Sequence, residues 1–251
     1  MIAFVGAGPG AVDLITVRGR NLLADADLII YAGSLVNKEL LQYAREDCIC
    51  LDSASMTLEE VIGEMIPADR SGKKVVRLHT GDPSIYGAIR EQMDMLDQEG
   101  LEYEVVPGVS SFCAAAAAMK AEYTLPDVSQ TVIITRMEGR TPVPSKEKIS
   151  LLASHGATMA IFLSTGLLKG LQDQLMAGGY DGDTPAAIVY KASWPDQKIL
   201  RGTVSNLAAL AEENQITKTA LILVGGFLGD SYQRSLLYHP GFSHEFRRAQ
   251  R

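Results

Sequence analysis

Along the first half of the chain, short apolar runs alternate with longer segments whose apolar residues recur at helical spacing. The short runs predict buried strands over residues 2–5, 28–31, 48–51, 74–78 and 103–106. The longer segments predict helices over residues 35–43, 57–66, 85–99 and, in an alanine-rich stretch, 110–122. Ser55 or Thr57 is expected to cap the second helix. Since alternating strands and helices form parallel sheets with helical crossovers, the first half predicts an α/β domain with a mostly parallel sheet.

The second half begins a new series of strands after the turn-rich segment YTLPDVSQ at residues 123–130. Apolar runs predict strands over residues 131–135, 160–164, 187–190, 198–203 and 220–224, with helices over 145–153, 166–176 and 204–213. The link between the strands at 187–190 and 198–203 is short and turn-rich, which favours an antiparallel pair and hence a mixed sheet. We therefore predict two α/β domains, residues 1–125 and 126–251, the second with a C-terminal tail.

The charge and the beginning of the chain exclude several classes of protein. The formal net charge is −7, and this argues against general binding of nucleic acid, which needs a basic face. No apolar stretch is long enough for a membrane-spanning helix. The segment MIAFVGAGPG passes directly from an apolar run into a glycine loop and does not resemble a signal peptide. We expect a cytoplasmic protein without nucleic-acid or membrane partners.

The cysteines and histidines do not form a pattern typical of metal sites. Cys48 and Cys50 lie two apart in a predicted strand, whereas zinc knuckles use cysteine pairs in turns, so we interpret them as buried structural residues. His239 and His244 in the tail lack carboxylate or cysteine partners. His79 is expected to be a packed, hydrogen-bonded histidine, and a catalytic role is the alternative. We expect no metal site in the protein.

Three loops rich in glycine and proline follow predicted strands of the first half. The first glycine loop is FVGAGPGAVDLIT (residues 4–16), the second is RLHTGDPSIYG (77–87) and the third is VVPGVSS (105–111). The carboxyl ends of parallel strands meet at one edge of a sheet, where open α/β sheets bind ligands. The three loops are therefore predicted to converge on one binding edge.

The first glycine loop by itself leaves alternatives open. Gly6, Gly8 and Ala11 match a dinucleotide-binding fingerprint, which would indicate a nicotinamide-dependent oxidoreductase. Two features count against that function: Pro9 offers no backbone N–H to a phosphate, and the second strand lacks an acidic residue at its end. A purely structural tight turn is the other alternative.

In this order and spacing, the three loops resemble those of the tetrapyrrole methylases. The segments DADLIIYAGSLVNKELL (residues 25–41) and LYHPGFSHEFR (237–247) resemble the branch that methylates C-11 of precorrin-4 in cobalamin synthesis. The resemblance implies a homodimer in which each chain binds S-adenosylmethionine in a cleft between two α/β domains. It implies methyl transfer to C-11 of precorrin-4 or its cobalt complex. Other tetrapyrrole methylases, acting at C-2 or C-17, and a noncatalytic tetrapyrrole carrier remain alternatives.

The resemblance also implies which residues bind the two reactants. The cofactor-binding candidates, carried over by motif, are Gly81, Asp82, Pro83, Ile85, Tyr86, Ser110, Ser111, Phe162, Leu163, Ala186, Tyr190, Thr219 and Ala220. Asp82 has an alternative role as a turn former, and His79 has one as a cobalt-facing residue. The substrate-binding candidates are the first-loop residues Gly8, Pro9 and Gly10 together with basic residues that suit carboxylate side chains, Lys38, Arg90, Arg136, Arg140 and Lys191. The sequence singles out no catalytic residue.

Overall fold

The computed structural model describes residues 1–33 and 35–249. Ser34, which belongs to the YAGSL segment, lies outside the described residues, as do residues 250 and 251. The chain divides into two compact units. The first contains Met1–Ala115 and Lys191–Gln197, and the second contains Ala116–Tyr190 and Lys198–Arg251. The domain boundary at residues 125/126 stays a prediction.

The described part of the first unit contains a five-stranded sheet in the order β3-β2-β4-β1-β5. Its strands are β1 (Ile2–Gly6), β2 (Leu28–Tyr31), β3 (Ile49–Asp52), β4 (Val75–His79) and β5 (Tyr103–Val106). Every neighbouring pair runs parallel. The predicted parallel sheet is therefore confirmed, and the loops that follow β1, β4 and β5 leave the sheet at the same edge.

The helices around this sheet are α1 (Val17–Asp25), α2 (Leu58–Arg70), α3 (Ile89–Gln98) and α4 (Ser111–Met119). Thr57 caps α2 with a capping box: its hydroxyl accepts a hydrogen bond from the Glu60 backbone N–H, and the Glu60 carboxylate accepts one from the Thr57 N–H. The predicted cap is thus confirmed at Thr57. The helix predicted over residues 35–43 is instead a shorter 3-10 helix, Lys38–Tyr43, because Asn37 caps its start.

Both faces of the parallel sheet are covered, because alternate residues of each strand enter opposite cores. In β1, Ala3 and Val5 pack in one hydrophobic cluster with Leu23 of α1. Phe4 packs in the other cluster with Met65 of α2 and Leu96 of α3. This double burial explains why the strands read as continuous apolar runs in the sequence.

The described part of the second unit contains a five-stranded mixed sheet in the order β6-β7-β10-β8-β9. Its elements are β6 (Val132–Arg136), α5 (Ile149–Ala153), β7 (Thr158–Phe162), α6 (Leu168–Ala177), β8 (Pro185–Tyr190), β9 (Lys198–Thr203), α7 (Leu207–Glu213) and β10 (Ala220–Val224). β6 and β7 run parallel, and the other neighbouring pairs run antiparallel. The predicted mixed sheet and the predicted antiparallel pair β8/β9 are both confirmed.

The cysteines differ from their predicted burial. Cys50 is exposed and Cys48 only half-buried, because β3 is the edge strand of its sheet. The interpretation of this pair as buried structural residues was therefore wrong for Cys50. Within residues 1–33 and 35–249, no cluster of three or more His, Cys, Asp or Glu side chains is arranged to hold a metal ion. Those residues also include no helix with the length and apolar character needed to cross a bilayer.

Candidate active site

The first and second glycine loops are joined by their backbones at the edge of the parallel sheet. The Gly81 N–H donates to the Gly8 carbonyl at 2.8 Å, and the Gly8 N–H donates to the Gly81 carbonyl at 3.2 Å. The Ala7 N–H donates to the His79 carbonyl at 2.7 Å. Gly8 has φ +78° and Gly81 has φ +60°, a left-handed conformation that favours glycine at both positions. These bonds fix two loops that are more than seventy residues apart in sequence.

The Asp82 carboxylate connects the second loop to the third. One carboxylate oxygen, Oδ2, accepts a hydrogen bond from the Gly108 N–H at 2.9 Å, and Oδ1 accepts from the Ser84 N–H at 2.9 Å and from the Ser84 hydroxyl. Partial burial alone would raise the pKa of Asp82, but these hydrogen bonds outweigh it and hold the pKa below its ordinary value. Asp82 therefore stays ionised and braces two loops, a larger role than that of a simple turn former.

Glycines allow the three loops to approach each other backbone to backbone. A Cβ on Gly6 would lie 2.5 Å from the Gly108 Cα. A Cβ on Gly108 would lie 2.8 Å from the Gly6 Cα and closer still to the Gly81 carbonyl oxygen. Neither distance leaves room for a side chain. The prediction that the three loops converge on one edge is thus confirmed.

The second loop is strained where it faces solvent. Tyr86 in the loop and Ala88 directly after it have φ values of +56° and +50°, although neither is a glycine. Such conformations cost on the order of 1–3 kcal/mol each and are concentrated at ligand-binding segments. The Tyr86 side chain is 46% exposed. The loop thus presents a large aromatic side chain four residues after Asp82.

Ser110 and Ser111 lie directly beside the second loop, at the start of α4. A Cβ on Gly81 would be in ordinary contact with them, 3.6 Å from the Ser110 Cα and 3.7 Å from the Ser111 N. The Ser110 carbonyl accepts hydrogen bonds from the Cys113 and Ala114 N–H groups and so begins the helix. The structure therefore brings the first-unit cofactor candidates into one cluster.

The tip of the first loop is held by side chains that the sequence analysis missed. The Trp194 indole N–H donates to the Pro9 carbonyl at 2.9 Å, and the Asn37 side-chain amide donates to the Gly10 carbonyl at 2.9 Å. The Ser193 hydroxyl accepts from the Ala11 N–H at 3.0 Å. A single tryptophan in a turn-rich link is the one signal that could have drawn attention to this segment.

In the second unit, three predicted site residues line one cavity of about 470 Å³. Arg136 and Arg140 lie on its wall with Leu163, and the other lining residues are Met137, Gly139, Thr141, Gly166 and Leu167. The Arg136 guanidinium donates to the carbonyls of Thr141 at 3.2 Å and Pro142 at 2.7 Å. Because β6 and β7 are parallel, their carboxyl ends bring these arginines to the same place as Leu163, which is 64% exposed with φ +52°.

The sequence matches the model of one protein family over most of its length. Residues 1–208 match the Tetrapyrrole (Corrin/Porphyrin) Methylases. The chain belongs to the tetrapyrrole methylase family. This membership confirms the family predicted from the three loops, and it overturns the alternative that the first loop belongs to a nicotinamide-dependent oxidoreductase.

Individual tetrapyrrole methylases are similar to the chain over nearly its whole length. The cobalt-precorrin-4 C(11)-methyltransferase of Methanocaldococcus jannaschii is 53% identical, with 99% of this chain and 96% of the relative covered. The precorrin-4 C(11)-methyltransferase of a Sinorhizobium species is 43% identical, with 98% of each chain covered. The X-ray structure of a cobalt precorrin-4 methyltransferase superposes with a TM-score of 0.89 at 51% identity, covering 91% of this chain and 96% of the other.

The remaining basic candidates each have an acidic partner. The Lys38 ammonium pairs with Asp52 at 3.2 Å, and Arg90 pairs with Asp94 at 2.7 Å on the exposed surface of α3. The Lys191 ammonium pairs with Asp196 at 2.5 Å. These three cations belong to the first unit, whereas Arg136 and Arg140 belong to the second.

The second-unit cofactor candidates are distributed along the mixed sheet. Tyr190 of β8 pairs in register with Ala220 of β10, next to Thr219, whereas Ala186 pairs with Val224. Four residues of strand separate Ala186 from Tyr190 by about 13 Å. Ala186 is only 2% exposed. Phe162, at the end of β7, is half-buried and precedes Leu163. The register thus groups Tyr190, Thr219 and Ala220 and leaves Ala186 apart from them.

His79 is buried directly before the second glycine loop. It is 4% exposed, and within the described residues its Nε2 atom has no hydrogen-bond partner. Burial and the nearby Arg77 guanidinium lower the pKa of His79 from 6.5 to about 3. The imidazole is therefore neutral and packed, but at Nε2 it lacks the hydrogen bond that we expected.

Because His79 is buried in its neutral form, we expect the free energy of unfolding to fall in acid. The unfolded state takes up the proton near pH 6.5 and the folded state only near pH 3, so the free energy of unfolding falls as the pH falls through that interval. The slope is about 1.4 kcal/mol per pH unit, or about 2 kcal/mol between pH 6.5 and 5. Urea denaturation should show this extra loss in the wild type relative to His79→Gln. The control His155→Gln, at an exposed position, should follow the wild type; equal acid sensitivity in all three proteins would contradict the assignment.

Proposed function

We propose that the protein transfers the methyl group of S-adenosylmethionine to C-11 of precorrin-4 during cobalamin biosynthesis, and that its substrate is the cobalt complex. The observation that carries the proposal is the 53% identity to a cobalt-precorrin-4 C(11)-methyltransferase over 99% of the chain. The 51% identity to a solved cobalt precorrin-4 methyltransferase supports it. The relative named for precorrin-4 itself is less similar, at 43%.

We further propose that the joined second and third loops bind S-adenosylmethionine. Gly81, Asp82 and Pro83 lie beside Ser110 and Ser111, with Ile85 and Tyr86 next along the strained loop. This pair of loops fits such a ligand for two reasons. The loop backbones approach each other as closely as only glycine allows, and the exposed ring of Tyr86 offers a flat apolar surface. The contributions of Phe162, Leu163, Ala186, Tyr190, Thr219 and Ala220 stay predictions.

In the proposed reaction, the main task of the protein is to align the methyl donor with the macrocycle. When bound, the sulfonium cofactor would supply an activated methyl group: the methyl carbon–sulfur bond would break as a carbon–carbon bond forms at C-11, the sulfur would keep the electron pair, and one proton would leave the macrocycle for solvent. The loops of this chain orient the donor and keep its geometry fixed, since a well-aligned pair of reactants reacts far faster than a mobile one. Gly8, Pro9 and Gly10 are proposed to form the surface on which the macrocycle lies.

Arg136 and Arg140 are proposed to bind carboxylate side chains of the macrocycle, because a planar guanidinium pairs well with a carboxylate. Arg136→Ala or Arg140→Ala should weaken tetrapyrrole binding about tenfold to a hundredfold, the range for one charged hydrogen-bonded contact, and leave the affinity for S-adenosylhomocysteine unchanged. Isothermal calorimetry with each ligand measures both effects. Lys169→Ala, which removes an exposed charge of α6, is the matched control. Equal loss of both affinities in the arginine variants would reject the assignment.

The proposed reaction is tested with carbon-13 labelled methyl donor and purified protein. Cobalt-precorrin-4 should gain one methyl group by mass spectrometry, and carbon-13 NMR should place that group at C-11. Methylation at C-2 or C-17 would identify a different member of the family. Faster turnover of metal-free precorrin-4 would contradict the cobalt assignment, and tetrapyrrole binding without turnover would indicate a carrier.

The family resemblance also leads us to propose a cytoplasmic homodimer. Analytical ultracentrifugation of the purified chain tests the dimer, and fractionation of cells that produce it tests the location. A monomer at micromolar concentration, or recovery in the membrane fraction, would contradict these proposals.

A further inference from the structure

The segment Lys191–Gln197, which we call the Trp194 loop, connects β8 to β9 along the chain but belongs to the first unit. Its contacts with the first glycine loop are specific. Trp194 donates to the Pro9 carbonyl, and Ser193 accepts from the Ala11 N–H, so the two hydrogen bonds lie on either side of Gly10. These partners are more than 180 residues apart in sequence.

The indole ring also lies against the backbone of Gly10. A Cβ at this position would be 2.8 Å from the indole Cε2 atom and closer still to two other atoms of the ring. Gly10 has φ +155°, a conformation that side chains rarely adopt. On its carbonyl, Gly10 accepts the hydrogen bond from Asn37, which is 9% exposed. The loop tip is thus held by side chains from two distant segments.

The Trp194 loop is held by its own hydrogen bonds. The Gln197 side-chain oxygen accepts from the Ser193 backbone N–H at 2.7 Å, and the Trp194 backbone N–H donates to the Lys191 carbonyl at 3.0 Å. The Lys191 ammonium pairs with Asp196 and lies 5.4 Å from the centre of the indole ring. Lys191 and Ser193 both have positive φ, +45° and +72°, although neither is a glycine. A segment held in strained conformations by its own bonds is suited to fix another loop.

We propose that Trp194 and Ser193 are positioning residues for the tetrapyrrole: they hold Gly8–Gly10 in the one conformation that aligns C-11 with the methyl donor. This inference rests on the proposed function and deepens it. A macrocycle that lies on a loose glycine loop would sample many orientations, and reaction rate depends steeply on alignment. Within residues 1–33 and 35–249, the hydrogen bonds of these two side chains go to the first loop, at Pro9 next to Gly8 and at Ala11 on the far side of Gly10 from the Gly8–Gly81 pair. We therefore expect variants of these residues to affect the tetrapyrrole more than the methyl donor.

The test uses Trp194→Phe, which keeps an aromatic ring and removes the N–H donor, and Ser193→Ala, which removes the hydroxyl acceptor. Each variant should lower kcat/KM for the tetrapyrrole about fivefold to tenfold, the effect of one lost hydrogen bond. The Kd for S-adenosylhomocysteine and its binding stoichiometry should be those of the wild type. Tyr232→Phe, which removes an exposed hydroxyl in the second unit, is the matched control for loss of a donor.

The outcomes separate this inference from the function on which it rests. If the wild type transfers methyl groups and both variants have the same kcat/KM as the wild type, the inference alone is overturned. A fall in S-adenosylhomocysteine affinity or stoichiometry that accompanies the kinetic loss would show a general structural role and would also overturn it. Absence of methyl transfer by the wild type would overturn the proposed function and the inference together. If Trp194→Phe fails to fold, the milder Ser193→Ala decides.

Discussion

Replacing Gly108 with alanine is expected to lower the affinity for S-adenosylhomocysteine about a hundredfold and the free energy of unfolding by about 1–3 kcal/mol. The added Cβ would lie 2.8 Å from the Gly6 Cα and closer still to the Gly81 carbonyl oxygen. Both neighbours are backbone atoms of adjacent strand ends, so neither can rotate away as a side chain could. The third loop must therefore move away from the other two, and the proposed cofactor cradle opens.

Gly63→Ala is the matched control for this substitution. Gly63 lies inside α2, and a Cβ there would meet nothing within 4 Å, so alanine should stabilise the helix by about 0.5–1 kcal/mol. Calorimetry gives the ligand affinity and urea denaturation gives the free energy of unfolding for both variants. A Gly108→Ala protein with the stability and affinity of the wild type would contradict the backbone contact on which the three-loop site depends.

Replacing Asp82 with alanine is expected to have the second largest effect. The change removes the acceptor for the Gly108 and Ser84 N–H groups, and hydrogen bonds to a charged group contribute about 1.5–3 kcal/mol each. The Ser84 N–H is exposed and can donate to water instead, so the expected loss is that of one bond: the free energy of unfolding should fall by about 1.5–3 kcal/mol. S-adenosylhomocysteine should bind about tenfold to a hundredfold more weakly, because the second and third loops are no longer tied together.

Asp82→Asn removes the charge of the side chain but keeps its shape, so the pH dependence of its free energy of unfolding tests the role of the ionised carboxylate. The folded-state pKa of Asp82 is lowered, so its stabilising contribution is present above the pKa of the unfolded carboxyl and is lost as the pH falls through the folded-state value. The stability difference between wild type and Asp82→Asn should therefore shrink in acid. Asp94→Ala, which removes only an exposed ion pair with Arg90, should change stability by less than about 1 kcal/mol. A difference that does not depend on pH would contradict an ionised brace.

The strands of this protein could be predicted because both faces of each central strand are buried. Such strands are continuous apolar runs, and β2 and β5 have the predicted bounds. The helix α1 was missed because its pattern is weak: among its nine residues only Gly19 and Leu23 are buried, and Val17 is 76% exposed. Thr16, whose side chain accepts from the Gly19 N–H, was the available signal for its beginning.

Part of the candidate site could be predicted from local sequence, whereas the partners that hold it together could not. The three glycine loops were recognisable because each follows its own strand, and parallel strands bring their ends together. The Asp82 bond to Gly108 spans 26 residues, and the Trp194 bond to Pro9 spans 185. No local pattern encodes such partners, since they are set by how the elements pack. Arg136 and Arg140 were candidates from their charge, but their shared cavity depends on the register of β6 and β7.

The central claim is tested most directly by a crystal structure of the protein grown with S-adenosylhomocysteine. The account predicts the ligand against the second and third loops, with polar atoms within hydrogen-bond distance of the backbone at Gly81–Pro83 and Ser110–Ser111. Electron density for the ligand at a place that contacts neither loop would contradict it.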